Sequence, residues 1–392
     1  MSMIRYLLAI FGLAAMAFAA LHAMLALAAV VIWRLRRLAI RTPRLPRPTR
    51  LPAVTLLKPL CGAEPGLYRH LRSFCLQDYP QFQIVFGARD PADPALGVAA
   101  QLAAEFPALA IDIVVNPQQH GANGKTSNLI NMMARARHDL LVIADSDTSV
   151  RPDYLTTVTA PLLDAAVGLV TSTYHDVPTP LVWSRLGAMY INEWYMPSVL
   201  MAWLFGFQGY ASGQTLCLRR YTLDAIGGLA AIADHLADDY RLCELIRARG
   251  LRVVLSAADV QAEHHEPGFG SLLHHELRWM RTIRVLRPRS FSMMFVTFTL
   301  PVAAIGLALS AAEPAVWVAA TALFWSALAA RLGLHFVPRL RGDRSLLSDI
   351  WLLPARDLLM LWVWCRSLLG SRVIWRGNQF AVDNDGIMHR RS

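Results

Sequence analysis

The chain has 392 residues, 55% hydrophobic and 17% charged, with a formal net charge of +10 and a mean hydropathy of +0.36. That length and apolarity fit one sizeable domain plus membrane segments. The positive charges cluster beside apolar spans, which points to anionic lipid headgroups and away from nucleic acid. The five cysteines (Cys61, Cys75, Cys217, Cys243, Cys365) show no paired metal spacing and read as reduced, mostly buried thiols without a disulfide framework.

Residues 4–33 are almost wholly apolar, broken only by Arg5 and His22. They exceed the roughly 20 residues needed to span a bilayer, so 1–33 is predicted as an N-terminal transmembrane helix. The following 34–51, "RLRRLAIRTPRLPRPTR" and its neighbour, has no acidic residue. The positive-inside rule puts this linker in the cytoplasm and the N-terminus outside. A cleaved signal peptide is the rival reading; the apolar stretch is too long for it, and no small-residue cleavage site precedes the basic run.

An α/β domain is predicted over 52–284. Short apolar runs at 54–57, 84–88, 111–115, 140–144 and 169–173 suit buried strands, with helical patterns at 67–76 and 127–136 between them. This alternation predicts a mostly parallel sheet covered on both faces, with ligands beyond the carboxyl ends of its strands. The Trp- and Met-rich stretch 183–207, interrupted by Arg185, Asn192 and Glu193, is expected to dip into the membrane surface. Membrane helices are predicted over 285–370: a helical pair at 291–311 and 314–337, then 350–369. That last stretch carries Arg356, Asp357 and Arg366, so a third span with paired charge and an interfacial helix are both open. Residues 371–392 form a C-terminal tail.

The stretch "HGANGKTSNL" contains Gly-Lys-Thr but not the full phosphate loop, since only Ala122 and Asn123 separate Gly121 from Gly124. It also holds one of only two lysines in this arginine-rich chain, Lys58 and Lys125. A lysine against that background marks a place for a compact ammonium.

"VIADSDTSV" ends an apolar strand in Asp145 and Asp147. Two carboxylates one residue apart there can face a hard divalent cation and diphosphate oxygens, or can simply cap a turn. Asp90 in "FGARDPAD" follows another apolar strand. Asp238 and Asp239 in "HLADDYRL" precede a helical pattern; adjacent carboxylates raise each other's pKa, which suits a base, and helix-start charge is the alternative. In "HHELRWMRTIR", His275, Arg278, Trp279, Arg281 and Arg284 fall on one helix. Its arginine face suits a diphosphate clamp or a basic juxtamembrane helix.

Together, Asp90, the Asp145-x-Asp147 pair, Asp239 and the RW element before membrane helices resemble the D, DxD, D, (Q/R)xxRW series of inverting, membrane-bound family-2-type glycosyltransferases. "LLKPLCGAEP", "QDYP" and "GANGKTSNLINM" narrow the resemblance to the ceramide-glucosyltransferase-like (family 21) branch. The fuller run through "WSRLGAMYIN" and "HLADDY" looks most like its bacterial hopanoid-biosynthesis members. One departure is that the RW element begins with His275 rather than Gln or Arg.

The resemblance implies a GT-A-type, Rossmann-like α/β fold flanked by N- and C-terminal transmembrane helices, in a multi-pass protein of the bacterial inner membrane with its catalytic domain cytoplasmic. It implies a UDP-sugar donor, Mg2+ or Mn2+ held by Asp145 and Asp147, and Asp239 as the catalytic base beside Asp238. Lys58, Asp90, Lys125, Asn128, Asp145, Arg278, Trp279 and Arg281 would bind the donor. His264 and His265 are read as either metal ligands or structural histidines. The implied acceptor is a membrane lipid, bacteriohopanetetrol receiving N-acetylglucosamine or ceramide receiving glucose. A processive synthase ranks lower, because the short helical pair offers little channel, and the complete set of carboxylates argues against a non-catalytic scaffold.

Overall fold

A computed structural model of the chain describes residues 2–41, 51–311, 313–339, 347–370, 372–375, 378–383 and 385–390. Most of the proline-rich part of the basic linker and of the "PRLRGDR" stretch lies outside the described residues.

In chain order the helices and strands are α1 (Ser2–Arg41), β1 (Val54–Pro59), α2 (Leu67–Cys75), β2 (Phe82–Ala88), α3 (Ala95–Glu105), β3 (Ala110–Val115), α4 (Gly124–Met133) and β4 (Leu140–Ile143). Next come β5 (Thr148–Val150), α5 (Tyr154–Thr159), β6 (Val167–Asp176), α6 (Val182–Tyr190), a π-helical turn (Ile191–Tyr195), α7 (Met196–Leu204), β7 (Leu216–Arg219) and α8 (Arg220–Ala225). After α9 (Asp238–Ala248) and β8 (Arg252–Ala262), the chain runs through α10 (Phe269–Leu286), α11 (Pro288–Met293), α12 (Thr299–Ser310), α13 (Pro314–Arg339) and α14 (Leu353–Ser367). Three short strands follow: β9 (Arg372–Trp375), β10 (Asn378–Val382) and β11 (Met388–Arg390).

Two compact units result. A helical unit comprises Met1–Ala39, Pro180–Gly206 and Glu266–Phe380; an α/β unit comprises Ile40–Thr179, Phe207–His265 and Ala381–Ser392.

The α/β unit holds an eight-stranded sheet in the order β3-β2-β1-β4-β7-β6-β8-β5. The first four strands are parallel; β7 runs antiparallel to both β4 and β6, and β8 is parallel to β6. Six of the eight strands therefore run in one direction, as the sequence predicts for most of the sheet, while the short β7 and the edge strand β5 run against them and make the sheet mixed. Strands β1 and β4 are buried along their whole length, as continuous apolar runs in a covered sheet require. Edge strand β3 alternates toward solvent. Leu57 pairs with both Val85 and Ile143, so the carboxyl ends of β1, β2 and β4 lie at one edge of the sheet. Asp90 and Asp145 follow β2 and β4 at that edge.

In the helical unit, α1 and α13 are long and apolar enough to cross a membrane; α11 and α12 qualify as a third span if their 69° bend is counted within one. Glycines let α1 pack closely: a Cβ on Gly306 would lie 2.6 Å from the carbonyl oxygen of Gly12. Met16 and Ala20 pack with Ala303, Ala320 and Ala327. Small residues at helix contacts are what association in lipid requires.

The charges flagged inside apolar stretches are paired across the helices of this unit. Glu193, in the π-helical turn, accepts from Arg331 at 2.8 Å, His335 at 2.9 Å and Arg339 at 2.7 Å. Arg331 also contacts Asp357 at 2.9 Å, and Arg185 pairs with Asp349. Arg356 forms a two-point contact with Glu276 at 2.6 and 2.7 Å. Arg356 and Asp357 thus take separate partners and do not pair with each other. Replacing Arg331 with Met removes the guanidinium from buried Asp357 and leaves Glu193 with His335 and Arg339. Breaking such a pair costs about 3–5 kcal/mol, so the thermal midpoint in detergent is expected to drop; an unchanged melt would contradict the network's structural role.

Candidate functional site

The site residues of the α/β unit gather where β4 ends. The Asp145 amide donates to the Gly213 carbonyl at 3.1 Å, and the Asp145 carboxylate meets Lys125 Nζ at 2.6 Å. Lys125 stands in the first turn of α4, which starts three residues earlier than its hydrophobic pattern predicts. The cause is Asn123, an N-cap whose side chain accepts from the Thr126 amide at 3.0 Å. "GANGKT" is therefore the capped start of a helix, and it presents the ammonium to the carboxylates. Lys125 Nζ also lies 3.9 Å from Asp238 Oδ2. Burial alone would lower the pKa of this lysine, but Asp145 and Asp238 outweigh that and hold it above the usual lysine range.

Lys58 is fully buried beneath the same turn. Its Nζ donates to the Asp145 carbonyl at 2.5 Å, lies 3.5 Å from Thr148 Oγ1 and sits 3.6 Å from the centre of the Phe74 ring. Desolvation pulls its pKa down to about 7. This ammonium braces the Asp145–Thr148 turn from below.

Asp147 lies beside a histidine. Its Oδ2 is 3.8 Å from His264 Nε2, while His264 Nδ1 is held 3.1 Å from Asp176 Oδ2. The Asp147 Oδ1 atom is buried without a hydrogen-bond partner. Burial pushes the Asp147 carboxyl up to about 6, with His264 opposing and Asp145 adding to the shift. A buried, partnerless carboxylate oxygen beside an imidazole that lies close to a second carboxylate is a donor set suited to a hard or borderline divalent cation. Among the described residues, no three His, Cys, Asp or Glu side chains converge to enclose an ion by themselves.

Asp238 and Asp239 open α9. Asp239 Oδ2 accepts from the Gly213 amide at 3.0 Å and its Oδ1 from the Tyr240 amide at 2.7 Å. Burial and then the neighbouring Asp238 push the Asp239 carboxyl up to about 6. Asp238 is also raised, by burial first, against the pull of Lys125. The sequence pairing of these two carboxylates thus acts in one direction: Asp238 raises Asp239, while the like charge that raises Asp238 is Asp145.

The other anticipated residues are placed as follows. Asp90 is exposed and its Oδ1 accepts from the Ala92 amide at 2.8 Å. Asn128 is buried, donating to the Gly87 carbonyl at 2.7 Å at the end of β2. His265 is exposed. In the helical unit, Trp279 stacks on Tyr190 at 5.3 Å and contacts His275 at 4.1 Å. His275 Nδ1 donates to Glu266 at 2.8 Å. Arg278 lies 6.0 Å from the Trp279 ring. Arg281 donates to the Leu369 carbonyl at 3.1 Å and Arg284 to those of Ser367 and Gly370, so both satisfy carbonyls at the end of α14.

Sequence reasoning missed Gly213, the backbone node of the cluster. Its amide binds Asp239, its carbonyl binds Asp145, and a Cβ there would lie 2.6 Å from Asp145 Oδ2 and 2.7 Å from Lys125 Nζ. A glycine just before a strand, as in "ASGQTLCL", is the signal for such a close approach.

The family model for glycosyl transferase family 21 matches residues 16–388. Ceramide glucosyltransferase 1 of Caenorhabditis elegans is 24% identical over 363 residues, covering 87% of this chain and 74% of that protein. Ceramide glucosyltransferase 3 of the same organism is 23% identical over 232 residues, covering 59% of this chain and 50% of that protein. A solved mannosyltransferase from Pyrobaculum calidifontis, in complex with GDP-Man and Mn2+, is similar at a TM-score of 0.47 with 19% identity, covering 91% of this chain and 98% of that one. With the family match running over nearly its whole length, the chain belongs to glycosyl transferase family 21 and is a sugar-nucleotide-dependent glycosyltransferase with a GT-A-type fold.

Proposed function

We propose that the enzyme moves a sugar from a UDP-sugar to a hydroxyl of a membrane lipid in one inverting displacement, with Asp239 as the base. The observation that carries this is the cluster of Asp145, Asp238 and Asp239 around Lys125, tied through the Gly213 backbone. With its carboxyl raised to about 6, Asp239 is ionised at neutral pH yet more basic than an ordinary aspartate. It takes the acceptor proton as the hydroxyl oxygen attacks the anomeric carbon and the bond to UDP breaks, so no covalent sugar intermediate forms.

Asp145 and Asp147 would hold Mg2+ or Mn2+, with His264 beside Asp147. A divalent cation there supplies neutralisation of charge on the leaving diphosphate. Lys125 offers a second positive charge to that diphosphate, and Lys58 keeps the carboxylate turn in place. Asp90 serves the uracil or ribose end of the donor, and Asn128 steadies the loop through the Gly87 carbonyl. Arg278 and Arg281 are assigned to the diphosphate by the family resemblance. Asp147→Ala should weaken metal-dependent donor binding by about tenfold or more, since even indirect supports of metal ligands cost 10–100-fold. Titration of UDP-sugar with and without EDTA checks this; equal affinity for both proteins under both conditions would leave Asp147 a turn residue.

The acceptor reading rests on the long apolar helices and the lipid chemistry of the family. The run "HGANGKTSNLINM…HHELRWMRTIR" favours N-acetylglucosamine transfer to bacteriohopanetetrol, at the inner membrane of a bacterium with the α/β unit on the cytoplasmic side. The relatives' names support a second reading, glucose transfer to ceramide. Purified protein offered UDP-N-acetylglucosamine and UDP-glucose against both lipids, with product mass measured, separates the two. Glycosylated bacteriohopanetetrol is expected; glucosylceramide alone would select the second reading.

A further inference from the structure

The last described residues of the chain belong to the α/β unit and close on the loop that leads into α9. The Leu236 amide donates to the Gly386 carbonyl at 3.0 Å, and the Met388 amide to the Asp234 carbonyl at 2.8 Å. Between them His235 and Ile387 form an antiparallel bridge. Within the tail, Asp383 Oδ1 accepts from the amides of Asp385 at 3.0 Å and Ile387 at 2.9 Å, and Gly386 takes a φ of +81°. Met388 is buried.

The other side of the same loop carries the start of α4. The Asn123 amide donates to the Ala233 carbonyl at 2.8 Å, the Ala122 amide to Asp234 Oδ1 at 2.7 Å, and Asn123 Nδ2 to the His235 carbonyl at 2.9 Å. Residues 234–236 are thus gripped from both sides. On one side is the cap that presents Lys125; on the other is the tail; and Asp238 and Asp239 follow directly along the chain.

The geometry points to a positioning role for the tail residues 385–390 in the transfer reaction. By pairing with 234–236 it locks the starts of α4 and α9 into one piece and so fixes the spacing of Lys125 from Asp238 and Asp239. This deepens the reading of Asp239 as the base and rests on it. The tail touches no reacting group; it acts through the backbone of the loop.

Met388→Pro tests this, because proline removes the amide that donates to the Asp234 carbonyl while Met388→Leu keeps it. Two measurements are made on the full-length protein: hydrogen exchange over 121–127 and 233–240, and kcat against donor KM. The expected result for Met388→Pro is faster exchange in both segments, an unchanged global melt and a kcat lower by about 10²-fold, the scale for a displacement of about 1 Å. Met388→Leu should restore all three. Unaltered exchange at 121–127, or a kcat within twofold of the parent, overturns the positioning role. So does a loss of activity that merely tracks the unfolded fraction. The exchange measurement needs no turnover, so an active Asp239→Asn enzyme would remove the base assignment and leave the exchange result standing.

Discussion

Asp239→Asn should lower kcat by about 10²–10⁴-fold, the range for loss of a positioned general base, with UDP-sugar affinity nearly unchanged. The substitution is close to isosteric. The Asn oxygen can still accept from the Gly213 or Tyr240 amide, as the carboxylate does at 3.0 and 2.7 Å. What disappears is the capacity to take a proton from the acceptor. The pH profile gives a second check. Burial and Asp238 raise the Asp239 carboxyl to about 6, so its basic form is lost as pH falls through that value. Turnover of the parent enzyme should therefore climb with pH up to about 6 and level off above it, and the residual turnover of the Asn variant should lack that limb. Lys125 favours the ionised form of Asp239, so Lys125→Met should shift the parent limb to higher pH. Steady-state rates across pH 5–8 give these readings, and an Asn variant within a few-fold of the parent would dismiss Asp239 as base.

Gly213→Ala should reduce kcat/KM by about 10²-fold or more, on the scale that a displacement of about 1 Å produces at a catalytic group. Gly213 is not one of the positive-φ glycines, so alanine meets no backbone penalty there. The cost is contact: the added Cβ would lie 2.6 Å from Asp145 Oδ2 and 2.7 Å from Lys125 Nζ. The backbone cannot retreat freely, because its amide holds Asp239 and its carbonyl holds Asp145. The clash therefore resolves by moving the groups assigned to the donor or the base. Kinetics paired with a thermal melt test this, with a large activity loss and a small stability loss expected. Full activity would mean the cluster is far more compliant than its hydrogen bonds imply.

What could be read from the sequence follows from which forces act locally. Strands β1, β2 and β4 announce themselves as short apolar runs, and the Asp-Ser-Asp turn at the end of β4 marks the edge of the sheet where the strands' carboxyl ends gather. The start of α4 was obscured because Asn123 caps the helix ahead of its apolar periodicity. The direction of Lys58 was not legible: β1 is buried on both faces, so no alternation tells which way a side chain points. Gly213 gained its meaning only when β7, a four-residue strand with almost no pattern of its own, brought it against Asp145 and Lys125. Likewise Glu193, Arg331, Arg356 and Asp357 stand out as charges in apolar stretches, but their pairing across helices depends on packing that no local rule provides.

The reading of a single displacement at Asp239 is tested most directly by the anomeric configuration of the product. The proposed UDP-sugar donor is α-linked, and the product that the purified enzyme makes from the proposed lipid acceptor can be examined by the coupling of its anomeric proton. A β-linked lipid glycoside formed in step with UDP release is expected. An α-linked product would require a different attacking group and would contradict the assignment of Asp239 as the base of an inverting transfer.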